Sequence, residues 1–163
     1  MDPTAANRDR DPSGRARNAR PRDALGRPLA RDATGYPVLP DGLDVTPAWA
    51  LATAQQLIDD GRPFHAHEVL EAAWKNAEPG ERDLWQGLAQ LAVGLTHVLR
   101  GNATGAAALL RRGAVRLAGY ESTSPHGIDT AGLVAAANAL ADRIERDGLT
   151  GLQPAESRLR LTG

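Results

Sequence analysis

Three side chains able to do chemistry recur at helical spacing in one short run, FHAHEVLEAAW: His67, Glu71 and Trp74. At about 100° per residue, Phe64, Leu70, Glu71 and Trp74 all project within about 60° of His67, so an imidazole and a carboxylate stand mid-stripe on an apolar face. A surface helix normally turns its ionisable groups the other way, where His65 and Asn76 fall. A carboxylate placed like Glu71 needs donors, because desolvation without partners drives it to neutralise. This residue set suits a satisfied polar core, metal ligation, or acid–base work and binding in an open cleft.

The donors come from a second run, ERDLWQGLAQLAVGLTHVLR. Gln86, Gln90, Val93 and His97 share one stripe with Gly87 and Gly94, and leucines cover most of the remaining circumference. This helix is therefore expected to be central. Glycine inside a helix costs about 1 kcal/mol relative to alanine, so a close backbone approach is expected there, with the helix over 64–77 as the partner. Folding the two helices about Glu78-Pro79-Gly80 sets Glu71 opposite Gln86 to Gln90 and leaves His97 about one turn further on, near Arg100 and Asn102. The expected cluster is His67, Glu71, Gln86, Gln90 and His97, flanked by Trp74, with Asn102 contributing. No residue is assigned a catalytic role. No cofactor is assigned either, although His67, Glu71 and His97 form a two-histidine, one-carboxylate set that suits zinc, manganese or iron. Against a metal, HEVLE lacks the second histidine of HExxH, and glutamine is a poor ligand for these ions.

The elements that must position these residues are helices. The chain has 163 residues, 42% apolar and only 4% aromatic, which predicts one domain with an Ala- and Leu-rich core of closely packed helices. The absence of cysteine excludes disulfides, thiolate metal sites and thiol nucleophiles. The pattern predicts an all-α bundle of about five helices: 48–60 capped by Thr46-Pro47, 64–77 opened by Pro63, 81–100 ended by Gly101, 103–120 capped by Asn102, and 131–147 capped by Asp129 or Thr130. The domain is expected to span 46–148, with 149–163 as an extended surface tail. Residues 1–40 read as a disordered or draped arm, rich in Arg, Pro and Gly, that cannot offset its ordering entropy by burial. Residues 1–31 hold eight arginines against four aspartates, a net +4, so the remainder carries −5. Nucleic-acid binding through residues 8–31 is one consequence of such a cluster, and a solvated tail is the other. No apolar run is long enough for a membrane span or signal peptide, so no membrane partner is expected and the chain is placed in the cytoplasm.

With these residues in order, the chain resembles the DUF309 family of small helical proteins. The resemblance is carried by His67, Glu71 and Trp74 (His-x3-Glu-x2-Trp), by Gln86, Gly87, Leu88 and Gln90 (QGL-x-Q), and by His97, Gly101, Asn102, Gly105 and Ala106. It extends over about residues 47–145, with a weaker HGID segment at His126 to Asp129. It implies a compact multihelical domain in which the His-Glu-Trp motif matters, and it implies no reaction. Two function classes follow. One is a structural or interaction module, in which the first two helices resemble a single tetratricopeptide-like hairpin that docks a protein partner. The other is an enzyme or ligand-binding protein using Glu71, His67 and His97 in a cleft. A sealed cluster favours the first class and an open cleft the second.

Overall fold

The computed structural model describes residues 22–28, 35 and 45–163. Among them, α-helices form the framework: α1 (Pro47–Asp59), α2 (Pro63–Asn76), α3 (Arg82–Leu99), α4 (Ala103–Ala118) and α5 (Thr130–Asp147). Their starts follow from local chemistry. Thr46 Oγ1 accepts from Trp49 N at 3.3 Å, Asn102 Oδ1 from Gly105 N at 3.0 Å, and Asp129 Oδ1 from Gly132 N at 3.1 Å, each satisfying an orphan donor of a first turn. Asp129, not Thr130, is thus the cap of α5. Regular strands are absent from the described residues, where β pairing is confined to two isolated bridges. No helix among them is long and apolar enough to cross a membrane.

Each helix packs on the next, and α3 lies between α2 and α4. Its Leu84, Trp85, Leu88, Leu91 and Leu95 are buried, which makes it the central helix the sequence predicts. The glycines do a different job from the one expected. A Cβ on Gly87 would lie 3.2 Å from the Gly113 carbonyl oxygen, and one on Gly94 would lie 2.9 Å from Leu110. The close approach is therefore to α4, not to α2. On α3 the two glycines lie to one side of Gln90, whereas the residues that face α2 lie to the other.

Two segments outside the five helices pack against them. In the tail, Leu159 and Leu161 are buried, and both amide groups of the chain there are clamped by one side chain. Gln55 Nε2 donates to Leu159 O at 3.0 Å, and Leu161 N donates to Gln55 Oε1 at 2.8 Å. The brief alternation Arg158-Leu159-Arg160-Leu161 is the reason, since it sends both leucines inward. In the arm, residues 22–28 form a tight turn in which Asp23 Oδ1 accepts from Leu25 N and Arg27 N. This turn sits on α2 and α3. Arg100 Nε donates to Leu25 O at 2.9 Å, and Arg22 lies 5.1 Å from the centre of the Phe64 ring. Gly26, at φ +75°, lies where a Cβ would clash with the Phe64 ring. Most of the stretch 8–31 read as a nucleic-acid arm lies outside the described residues.

Candidate functional site

The α2 and α3 stripes meet and line a cleft of about 270 Å³. Its walls are His67, Glu71 and Trp74 from α2 and Gln86, Ala89, Gln90 and Val93 from α3. Five of the seven predicted site residues therefore line one cavity. The cleft is open, and the side chains of His67 and Glu71 keep 24% and 42% of their surface exposed. Glu71 Oε2 lies 3.4 Å from His67 Nε2, and Oε1 lies 3.9 Å from Lys75 Nζ. Its partners are one helical turn away on its own helix, not the glutamine amides of α3 that the sequence suggested. Lys75 was missed, although its i+4 spacing from Glu71 is a readable signal. Ala89 was missed because nothing in its chemistry marks it.

His97 and Asn102 stand apart from this cleft. Val93 is the last wall residue of α3, and His97 lies one turn beyond it. Asn102 Nδ2 lies 3.2 Å from His97 Nδ1. An amide NH2 only donates, so Nδ1 is the acceptor, and the His97 tautomer carries its proton on Nε2. Asn102 thus serves the helix junction twice, as the cap of α4 and as the anchor of His97. The two-histidine, one-carboxylate set is not assembled, because His97 does not reach the pair formed by His67 and Glu71. Among the described residues, no group of three or more His, Asp or Glu side chains is placed to hold a metal ion.

His65 also departs from expectation. It is buried at 5% exposure, with its ring edge-on to Phe64 at 5.7 Å. It lies one turn before buried Val69, and the turn at 22–28 brings Arg22 and Asp23 close enough to bias its titration.

Burial depresses the pKa of three histidines. For His67 desolvation is the largest cause, opposed by the Glu71 carboxylate and reinforced by Lys75. For His65 it is desolvation and then Arg62, and for His97 desolvation and then Arg100. A folded pKa below the unfolded value of 6.5 means that the unfolded chain binds protons first. Stability is therefore complete above about pH 6.5 and is lost as pH falls toward the lower folded values. Glu68, pushed up by burial, acts oppositely, losing its contribution as pH rises from its ordinary 4.5 through its higher folded value. With three groups against one, the melting temperature is expected to fall between pH 7.5 and pH 5.5. A melting temperature that holds level or rises toward acid contradicts the assignment.

Polar contacts outside the cleft set its walls. Arg116 Nε donates to Gln90 Oε1 at 3.2 Å while its terminal nitrogen pairs with Asp83. Arg82 lies 5.5 Å from the centre of the Trp74 ring, a cation–π contact at the rim. At the far end the Phe64 ring is 5.7 Å from His67.

The family model DUF309, a domain of unknown function, matches residues 51–109. The match takes in most of α1, all of α2 and α3, and α4 as far as Leu109, so every wall residue of the cleft falls within it. The weaker segment at His126 to Asp129 lies beyond it. No curated protein and no solved structure matches the chain.

Proposed function

We propose that this chain, which carries a DUF309 domain over residues 51–109, binds a small organic ligand in the α2/α3 cleft, with Glu71 as the anchoring carboxylate. The reading rests on one observation. Glu71 opens into a cavity with 42% of its side chain exposed, and no hydrogen bond links it to Gln86 or Gln90 among the described residues. A structural polar core would do the reverse, hiding the carboxylate and pairing it across the helices. The ligand-binding alternative is therefore favoured over the structural module. A volume of about 270 Å³ sits just under the usual range of about 300–1,000 Å³ for ligand pockets, so the occupant is fragment-sized. An aromatic wall, two amides, a carboxylate and apolar Ala89 and Val93 match the usual make-up of such sites, a mainly apolar surface with a few placed polar groups.

The test is a fragment screen followed by NMR at the indole N–H of Trp74, assigned with Trp74→Phe. Fragments are expected to shift the Trp74 signal, to leave that of buried Trp85 in place, and to lose affinity at least tenfold in Glu71→Ala. Fragments that bind Glu71→Ala as well as they bind the native chain, or a screen with no shift at Trp74, would refute the reading.

A further inference from the structure

Gln90 stands on the wall between the cleft and a second, larger groove bordered by Asp83, Arg111, Arg116 and Tyr120. Its Oε1 accepts from Arg116 Nε at 3.2 Å. A guanidinium has no acceptor, so the orientation of this amide is settled: the carbonyl is engaged by Arg116, and the NH2 group remains for the cleft. Arg116 is in turn held by Asp83, so Gln90 is set from outside the ligand's space.

Glu71 offers the opposite chemistry. An ionised carboxylate only accepts, and its contacts to His67 at 3.4 Å and Lys75 at 3.9 Å are long enough to leave both oxygens available to a better donor. His67 has a buried Nδ1 with no partner among the described residues and adds no charge while neutral. The Trp74 indole lines the same cleft, with Ala89 and Val93 completing an apolar surface.

Resting on the ligand-binding reading above, we propose that the occupant presents the 2-amino-4-oxopyrimidine edge found in guanine and in pterins. Glu71 takes the ring N–H and the exocyclic NH2, the Gln90 NH2 group donates to the adjacent carbonyl, and the ring lies against Trp74. Hydrogen bonding along the base edge combined with stacking on an aromatic side chain is the general way an unstacked base is read. Adenine fails this arrangement because it presents an acceptor nitrogen to Glu71. Inosine keeps the ring N–H and the carbonyl but lacks the second donor.

The test titrates the full-length chain with guanosine, a pterin, inosine and adenosine, following the Trp74 indole N–H. Guanosine or the pterin is expected to bind, and the tighter of the two identifies the source. Inosine is expected to bind about tenfold or more weakly and adenosine not at all, since a site built for hydrogen bonds rejects ligands that leave them unmade. Glu71→Gln is expected to abolish binding. So is Gln90→Glu, which keeps an acceptor for Arg116 but turns a carboxylate toward the ligand carbonyl, and its melting curve verifies that it folds. Adenosine or inosine binding as tightly as guanosine overturns the ligand class and leaves the cleft reading intact. So does silence from all four compounds while other fragments shift Trp74. A chain in which nothing reaches Trp74 overturns both.

Discussion

Trp85→Ala is expected to destabilise the chain by about 3–5 kcal/mol, the range for removing a fully buried large aromatic side chain. Trp85 is 1% exposed. It also supports a loop. His126, held at φ 57°, has its ring 5.8 Å from Trp85 and its Nε2 2.8 Å from Glu81 Oε2. Nearby, Tyr120 donates its hydroxyl to Gly80 O at 2.7 Å, and Thr130 Oγ1 donates to Tyr120 O at 3.0 Å. Removing the indole leaves a cavity beneath the α4–α5 connection that these contacts cannot refill. Denaturant unfolding should show a lower midpoint with an unchanged slope, and a loss below about 1 kcal/mol would mean that α3 is not the core of the bundle. Trp74, eleven residues earlier on the cleft wall, is only partly buried, so its truncation should cost far less stability.

Gly113→Val is the second large effect, with an expected loss of about 2–3 kcal/mol from overpacking. A Cβ at Gly113 would lie 2.6 Å from Leu91 Cδ2 and 2.8 Å from the Gly87 carbonyl oxygen. The leucine can turn, but the carbonyl belongs to the α3 backbone, so the helices must separate. An ordinary gain of about 1 kcal/mol in helix propensity on replacing glycine with alanine is cancelled by the same contact. Gly80 has nothing within 4 Å of its missing Cβ and serves as the control, with Gly80→Ala expected within about 0.5 kcal/mol of the native chain. A Gly113→Val chain as stable as that control would mean that α3 and α4 do not cross this closely.

Helices and their ends were legible because they depend on neighbours in sequence. Thr46, Pro63, Asn102 and Asp129 each act within four residues of where they stand. The α2 stripe was legible for the same reason: projection needs only the 3.6-residue period. What projection does not supply is the identity of the facing element. Gly87 and Gly94 lie beside the polar stripe of α3, yet that helix has two neighbours: α4 takes the glycines and holds Gln90 through Arg116, while Gln86 lines the cleft with α2. Nor does it show how far along an axis a cluster extends, which is why His97 was grouped with residues one turn away. Leu159 and Leu161 are marked as an inward pair by their alternation, but their seat at Gln55 lies more than 100 positions away, where sequence spacing carries no signal. The openness of the cleft belongs to the same class, since it depends on where α2 and α3 diverge.

Whether Glu71 serves an open cleft or a sealed core is read from the unfolding free energy of Glu71→Ala. An open cleft gives a loss below about 1 kcal/mol, as for a solvent-accessible carboxylate whose ion partners are His67 and Lys75 on its own helix. A loss of about 1–3 kcal/mol, the cost of leaving buried partners unpaired, would contradict it and return the cluster to a structural role.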